Sequence, residues 1–363
     1  MANRRAFLQL LASLPAWPAG VALAAAPEFA AVVPGRTLVF PRDHGAHPDF
    51  RTEWWYATGW LALPDGRPLG FQSTFFRIRT GLGEDNPSAF APRQLLVAHA
   101  ALADPAHGRL RHDQRSARSG LGRAGFSAER TQVWIGDWRF EQEGNNYRTA
   151  VRAADFAYAL ELHPDGPPLL NGRGGFSQKA ADPRHASYYY SRPQLAVTGT
   201  VTLAGRQQRV AGRAWLDHEW SSELLPEGAQ GWDWIGINLD DGSALMAFRM
   251  RGQGGAAGEA LWAAATWRPA YGSAQVLAPQ AVSFTPQRRW RSPRTNIDYP
   301  VEWQLRIADR IIQLRPLFDD QELDSRRSTG AIYWEGAVTL HEGGREIGRG
   351  YLEMTGYGEA IQV

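Results

Sequence analysis

Residues 53–66 carry a clear strand pattern followed by turn residues, and they read Glu-Trp-Trp-Tyr-Ala-Thr-Gly-Trp-Leu-Ala-Leu-Pro-Asp-Gly. Residues 54–63 alternate in the manner of a strand and are rich in aromatic and aliphatic side chains. Pro64-Asp65-Gly66 then supplies a turn, and residues 69–79 return as a second apolar run. The sequence therefore predicts a β-hairpin at this point.

Short β-rich runs punctuated by turn residues continue along the chain. They cover residues 95–103, 133–140, 156–162, 196–203, 208–215, 232–239, 244–251, 303–307, 311–315, 331–340 and 346–357. No helical stripe longer than about three turns follows residue 26. We therefore predict an all-β protein.

An internal echo predicts that the fold is duplicated. The first block contains Trp54-Trp55, Asp65-Gly66 and Phe76-Arg77-Ile78-Arg79, and the second contains Trp232-Asp233-Trp234, Asp241-Gly242 and Phe248-Arg249-Met250-Arg251. Coincidence between two hairpins is the alternative, because Asp-Gly is a common turn. Two antiparallel barrels, closed so that no sheet edge is exposed, fit the number of strands. We place them at residues 27–225 and 226–363.

The N-terminus has the features of an export signal. Arg4 and Arg5 precede an apolar run, and Ala24-Ala25-Ala26 offers a small-residue cleavage site. Residues 1–26 therefore resemble a twin-arginine (Tat) signal peptide, which predicts a periplasmic or secreted protein. A membrane anchor is the alternative, but Pro15 and Pro18 interrupt a run that is short for a span. We do not expect an integral membrane protein.

Composition argues against several classes of function. Without the two arginines of residues 1–26, which contain no acid, the formal charge of +2 falls to zero, and this argues against a nucleic-acid partner. The absence of cysteine excludes disulfides, thiolate nucleophiles and cysteine-based metal sites. Lys179 is the only lysine, which argues against Schiff-base chemistry. The sequence has no Gly-x-Ser-x-Gly, Walker or His-Glu-x-x-His motif, and we predict no cofactor.

Two segments combine acids with large aromatic rings. They are Glu53-Trp54-Trp55-Tyr56 and Trp215-Leu216-Asp217-His218-Glu219-Trp220. Burial of a carboxyl group beside tryptophan disfavours its charged form, so these segments indicate a site. Strand alternation places Trp215, Asp217 and Glu219 on one face, and Leu216, His218 and Trp220 on the other. The alternative is a bulge or strand end where the acids meet solvent or arginine.

Two further groups are candidate site residues. Tyr188 and Tyr190 share one face of a predicted strand, and aromatic strands are more often core than site. His44 and His47, with nearby carboxylates, could supply a two-histidine, one-carboxylate metal site. Pro48 and Gly45 indicate a loop there, and we favour a hydrogen-bonded loop at a barrel mouth with no metal.

The segments Asp43-His44-Gly45-Ala46-His47-Pro48, Glu53-Trp54-Trp55-Tyr56, Trp215–Ser221 and Gly231-Trp232-Asp233-Trp234 resemble the AttH-like family. That family is related to the acyclic carotenoid 1,2-hydratases and is often described as secreted hydrolases. The resemblance spans essentially the whole chain after residue 26. It implies two lipocalin-like β-barrels that bind isoprenoid or polyketide-like ligands, and some relatives hydrate or cyclise alkenes.

The resemblance also suggests roles for particular residues. The acid of the hydratases matches Asp217, and Trp215 stands where they have an aromatic residue two positions earlier. Tyr188 and Tyr190 fall near their aromatic and histidine lining, although this chain has no histidine there. AttH-like proteins are associated with ABC-type exporters, which implies such a transporter as a partner.

Two hypotheses follow. The first is a periplasmic protein that binds a hydrophobic ligand without chemistry; the second is a hydratase in which Asp217 is the acid, with His218 and Glu219 as further catalytic candidates. The ligand-binding candidates are Glu53, Trp54, Trp55, Tyr188, Tyr190, Trp215, Trp220, Trp232, Asp233 and Trp234. Only the hydratase requires Asp217 to be buried, near aromatic rings and free of an arginine partner.

Overall fold

The computed structural model describes residues 28–253 and 260–360, and these contain two antiparallel β-sheets. The proposed signal peptide lies outside the described residues. The first sheet has 13 strands. They are β1 (Thr52–Ala62), β2 (Pro68–Arg79), β3 (Gln94–Ala103), β4 (Leu110–Arg118), β5 (Ala124–Phe126), β6 (Gln132–Ile135), β7 (Trp138–Glu143), β8 (Asn146–Arg152), β9 (Phe156–His163), β10 (Leu169–Leu170), β11 (Phe176–Gln178), β12 (Ala186–Leu203) and β13 (Arg206–Ser221).

The second sheet has ten strands, and nine residues separate it from the end of the first sheet. Its strands are β14 (Gly231–Leu239), β15 (Ala244–Arg251), β16 (Ala260–Arg268), β17 (Gln275–Leu277), β18 (Val282–Arg291), β19 (Asp298–Ile307), β20 (Arg310–Pro316), β21 (Glu322–Asp324), β22 (Ile332–Glu342) and β23 (Arg345–Met354). Each sheet curls so that its ends approach: β3 and β4 contact β6, and β15 and β16 contact β18. The all-β, lipocalin-like prediction is confirmed.

The two sheets have matching strand orders. The first runs β4-β3-β2-β1-β13-β12-β9-β8-β7-β6-β5, and the second runs β17-β16-β15-β14-β23-β22-β20-β19-β18. In each, the first strand pairs with both the second and the last. Asp65-Gly66 and Asp241-Gly242 occupy the equivalent first turn, where Gly66 and Gly242 adopt φ of +85° and +89°. Glycine carries no Cβ penalty at such angles.

Buried apolar side chains fill the interior of each barrel. In the first barrel Trp55, Phe71 and Trp138 belong to one core, and in the second Trp303 and Trp334 belong to another. A third cluster joins residues of both barrels, including Tyr56, Tyr189 and Trp215 from the first and Trp234, Phe248 and Tyr351 from the second. The two barrels therefore pack against each other through the sheet faces that carry this third cluster. Across residues 28–253 and 260–360, no helix has the length and apolar character to cross a membrane.

Candidate functional site

A cavity of about 340 Å³ lies between the two barrels. Both barrels contribute acids and tryptophans to its lining, among them Trp54, Asp217, Glu219, Trp234, Glu335 and Glu353. The strands that supply these residues lie next to one another in each sheet. The cavity is therefore a product of barrel packing and not of a single barrel interior.

The duplication places matching residues on the two sides of this cavity. Trp54 is the cross-strand partner of Glu219, and Trp234 is the cross-strand partner of Glu353. Glu219 also pairs with Tyr189, and Glu353 pairs with Glu335. Directly paired residues on antiparallel strands point to the same face of the sheet. Each barrel thus presents an acid beside a tryptophan to the cavity.

Asp217 is a buried acid with three hydrogen-bond donors. Ser191 Oγ and Trp215 Nε1 donate to its Oδ1 over 2.6 and 2.7 Å, and the Tyr189 hydroxyl donates to its Oδ2 over 2.8 Å. Burial raises the pKa of Asp217 to about 7, although these three hydrogen bonds lower it. None of the ion pairs within the described residues includes Asp217. Asp217 is therefore buried and has no arginine partner among the described residues, two features that the hydratase hypothesis requires.

Glu219 is ion-paired with the single lysine. Lys179 Nζ lies 2.8 Å from Glu219 Oε1, which also accepts a hydrogen bond from Ser187. The ammonium group lies 4.3 Å from the ring centroid of Phe248 and 5.0 Å from that of Tyr189. Aromatic faces stabilise a cation at such distances. Lys179 therefore forms an ion pair with Glu219 at the cavity, and its ammonium group also contacts two aromatic rings.

The second barrel adds two acids without a cationic partner among the described residues. Tyr56 donates a hydrogen bond to Glu335 Oε1, and Trp232 Nε1 donates to Glu353 Oε1 over 3.1 Å. Burial raises the pKa of Glu335 well above its ordinary range, and the neighbouring Glu353 adds to this rise. Burial also raises the pKa of Glu353 to about 8. At neutral pH both carboxyl groups favour the protonated form.

The opposite face of the first sheet carries a separate charged network. Glu53 accepts hydrogen bonds from Arg77 Nε, and its carboxylate lies 2.8 Å from both His47 Nδ1 and His218 Nε2. His47 Nε2 lies 3.2 Å from Asp43. Burial opposes ionisation, yet Arg77 and the two histidines hold the pKa of Glu53 well below its usual range. Glu53 borders the cavity, but its carboxylate belongs to this network.

This network also contains the metal-ligand candidates. One atom each of His47, Glu53 and His218 lies within 4.8 Å of the other two. The separations of 2.8 Å are those of hydrogen bonds, and the second Glu53 oxygen already binds Arg77. Burial lowers the pKa of His47, but hydrogen bonds to Asp43 and Glu53 raise it overall. A protonated His47 donates hydrogen bonds to both Glu53 and Asp43, and these hydrogen bonds account for the short separations.

Tyr188 and Tyr190, two of the predicted ligand-binding residues, do not line the cavity. They pair with Trp220 and His218, whereas Ser191 and Tyr189 pair with Asp217 and Glu219. Tyr188 packs with Phe50 and Trp220, and the Tyr190 hydroxyl lies 2.9 Å from His44 Nδ1 and 3.1 Å from His218 Nδ1. The strand register therefore turns these two tyrosines away from the cavity and brings Tyr189 to Asp217.

The other predicted site residues divide between the cavity and the barrel interiors. Trp54, Trp232 and Trp234 line the cavity. Trp215 donates a hydrogen bond to the cavity residue Asp217. Trp55, His218 and Trp220 lie on the opposite face of the first sheet, where Trp55 stacks on His218 at 5.0 Å. His218, a catalytic candidate, thus lies on the opposite face of the sheet from Asp217, as strand alternation predicted. Asp233 lies in the second barrel, 2.7 Å from Arg249 Nε.

Sequence reasoning missed several cavity residues, including Tyr56, His99, Tyr333, Glu335 and Glu353, and it also missed Tyr189, which donates a hydrogen bond to Asp217. Glu353 lies on the last strand of the second sheet, opposite Trp234 of its first strand, as Glu219 lies opposite Trp54 in the first sheet. This correspondence depends on the strand pairing, which the sequence alone did not supply.

Comparisons with known proteins agree with this architecture. The model of the AttH-like family matches residues 31–357. A crystal structure of an AttH protein from Nitrosomonas europaea is 51% identical, with 91% of this chain and 100% of that chain covered and a TM-score of 0.85. Kievitone hydratase from Nectria haematococca is 15% identical, with 91% and 96% covered and a TM-score of 0.67, and is similar in fold. None of the curated proteins matches.

Proposed function

We propose that this chain, which belongs to the AttH-like family, binds an isoprenoid-like ligand between its barrels and adds water to an isolated alkene of that ligand. Asp217 is the proton donor in this proposal. The observation that carries it is a buried carboxyl group at an aromatic cavity, with a pKa raised to about 7 by burial and no cationic partner among the described residues. Kievitone hydratase, which is similar in fold, is named for a reaction of the same class.

Protonation of the alkene is the difficult step. Asp217 transfers its proton to the less substituted carbon, and a tertiary cation forms on the other. Aromatic faces at the cavity, such as those of Trp54, Trp234 and Phe248, stabilise that cation. Water then adds to the cation and loses a proton, so that one hydrogen and one hydroxyl group are gained.

The hydrogen bonds to Asp217 serve the second half of this step. Ser191, Trp215 and Tyr189 all donate to the carboxyl oxygens, and they stabilise the carboxylate that proton transfer leaves behind. Burial alone would make the acid too weak a donor. A pKa near the working pH balances retention of the proton against its release.

Binding without chemistry is the second candidate function. The three cavity acids with raised pKa leave the cavity close to neutral, which suits an apolar or amphipathic ligand. In this form the protein would hold its ligand in the periplasm, exported through Arg4-Arg5, and pass it to an ABC-type transporter. Location and transporter are proposals that rest on the sequence and on the resemblance.

The test uses squalene, geraniol and a prenylated phenol as probes in ¹⁸O-labelled water. We expect a tertiary alcohol that carries ¹⁸O, detected by mass spectrometry. Asp217→Asn should still retain the probe, but turnover should fall by roughly two to four orders of magnitude. Asp104→Asn is the matched control, because Asp104 is also buried and lies outside the cavity lining. Retained probe without alcohol from the wild-type protein would favour the binding-only function.

A further inference from the structure

Three hydrogen-bonded side chains run along the wall of the cavity. Tyr333, His99 and Ser328 all line the cavity, and the Tyr333 hydroxyl oxygen lies 2.7 Å from Nδ1 of His99. Nε2 of His99 lies 2.9 Å from Ser328 Oγ. Tyr333 and His99 are 6% and 1% exposed, whereas Ser328 is half-buried and precedes the exposed residues Thr329 and Gly330. The line therefore begins at a buried part of the cavity wall and ends where the wall meets solvent.

The histidine in this line is neutral. Burial lowers the pKa of His99 to about 3, and His112 contributes to the decrease. A neutral imidazole has one nitrogen that donates and one that accepts. With Tyr333 donating to Nδ1, Nε2 donates to Ser328; in the other tautomer both hydrogen bonds run in the opposite direction. Moving one proton along the line converts the first arrangement into the second.

The proposed hydration needs a proton acceptor at the cavity. Water that has added to the cation forms a protonated alcohol, which is a strong acid and must lose a proton. The first step leaves Asp217 as a carboxylate, whereas Glu335 and Glu353 have raised pKa values and favour the protonated form. Glu219 is bound to Lys179 and Ser187. A neutral imidazole that is hydrogen-bonded to a tyrosine hydroxyl offers a second acceptor beside Asp217 and places no charge near the cation beforehand.

We propose that Tyr333, His99 and Ser328 form a proton relay that serves the cavity. This inference rests on the proposed hydratase function. The protonated alcohol gives a proton to the Tyr333 oxygen, the tyrosine proton moves to His99 Nδ1, and the Nε2 proton moves to Ser328, whose own proton leaves to solvent. A later inward transfer in the opposite direction returns one proton through cavity water to the Asp217 carboxylate. One outward and one inward transfer per turnover restore the first tautomer and balance the reaction.

The test separates the step of Asp217 from the step of the relay. In D₂O, donation by Asp217 followed by loss of a neighbouring proton returns an alkene that carries deuterium, whether or not water is captured. Capture of water yields the alcohol. We therefore measure deuterated squalene and its tertiary alcohol by mass spectrometry for the wild-type protein and for Tyr333→Phe, His99→Gln and Ser328→Ala. Tyr299→Phe is the matched control, because it removes a buried tyrosine hydroxyl outside the cavity lining.

Loss of a general acid–base group typically costs about 10²–10⁴-fold. We expect Tyr333→Phe and His99→Gln to lower alcohol formation by roughly 100-fold while deuterium still enters the alkene. The ratio of alcohol to deuterated alkene should therefore fall in these variants and stay at the wild-type value in Tyr299→Phe. For Ser328→Ala we expect a smaller decrease of the same ratio, since solvent can replace a half-exposed hydroxyl.

Each outcome bears on one proposal. The relay is overturned if Tyr333→Phe and His99→Gln still place deuterium in the alkene and leave the ratio of alcohol to deuterated alkene unchanged. That result would leave Asp217 as the proton donor. No deuterium and no alcohol from the wild-type protein overturns the hydratase function and the relay with it. Thermal unfolding checks that the variants fold. If the two buried variants do not, Ser328→Ala decides, and an unchanged ratio in that variant overturns the relay.

Discussion

Glu219 and Glu353 each pair with a tryptophan across two strands but have different electrostatic environments. Each lies on the last strand of its sheet, Glu219 opposite Trp54 and Glu353 opposite Trp234 of the first strand. Glu219 has Lys179 at 2.8 Å, whereas Glu353 has a donated hydrogen bond from Trp232 and a pKa raised to about 8 by burial. One acid is ion-paired with a lysine, and the other favours its protonated form.

This difference predicts opposite responses to the same substitution. Glu219→Gln leaves the Lys179 ammonium buried without its counter-charge, so we expect a loss of about 3–5 kcal/mol in the free energy of unfolding at pH 7. Glu353→Gln replaces a protonated carboxyl with a neutral amide of similar size, so we expect a change below about 1 kcal/mol. Urea unfolding of the two variants measures both values. Equal losses would contradict the assignment of charge.

Asp217 predicts a fall in stability with rising pH. Between about pH 4 and pH 7 the folded state keeps a proton that the unfolded state releases, because burial raises the pKa from 3.8 to about 7. The free energy of unfolding therefore falls through this window by on the order of 4 kcal/mol and levels off above it. Relative to wild type, Asp217→Asn should gain stability as the pH rises from 4 to 7. A pH-independent difference in denaturant unfolding would show that the acid is not held protonated.

The same acid predicts the pH dependence of activity. Turnover requires the protonated form of Asp217, so the rate of alcohol formation should decline above an apparent pKa of about 7. Rates measured from pH 5 to pH 9 with squalene as the probe test this expectation. A rate that rises through neutral pH would point to a group that must lose its proton, and would remove Asp217 from the role of acid.

His47 predicts a stabilising contribution at lower pH. Burial lowers its pKa, but hydrogen bonds to Asp43 and Glu53 raise the pKa above the ordinary value of 6.5 overall. The contribution is fully present below about pH 6.5 and is lost as the pH rises through the folded-state pKa. His47→Gln should therefore destabilise the protein more at pH 6 than at pH 9. His163→Gln is the control, because this histidine is half-buried at the end of β9 and lies outside the Glu53 network.

Export predicts a requirement for the paired arginines. The twin-arginine route reads two arginines before a modest apolar run, so replacing both Arg4 and Arg5 with lysine should leave the precursor in the cytoplasm. Cell fractionation and immunoblotting measure the distribution. Replacement of Arg36, which lies after the proposed cleavage site, is the control. Normal periplasmic accumulation of the double-lysine variant would remove the Tat assignment.

The position of the cavity could not be predicted from local sequence. Its lining joins Trp54 and Asp217 of one barrel with Trp234 and Glu335 of the other, residues that only the packing of the barrels brings together. The charge states of its acids depend on the same packing. Burial between the barrels raises the pKa values of Asp217 and Glu335, and burial is a property of the assembled fold.

Three features could be predicted from the sequence: the all-β fold, the first turn of each sheet and the division of residues 215–220 between two faces of a strand. They could be predicted because strand alternation and turn residues act locally. Only the tertiary structure shows which side chains of β12 lie beside Asp217. The pairing of β12 with β13 brings Tyr189 and Ser191 to the acid and turns Tyr188 and Tyr190 away. A shift of one residue in register would exchange these faces, and such a register is set by contacts between strands, not within one.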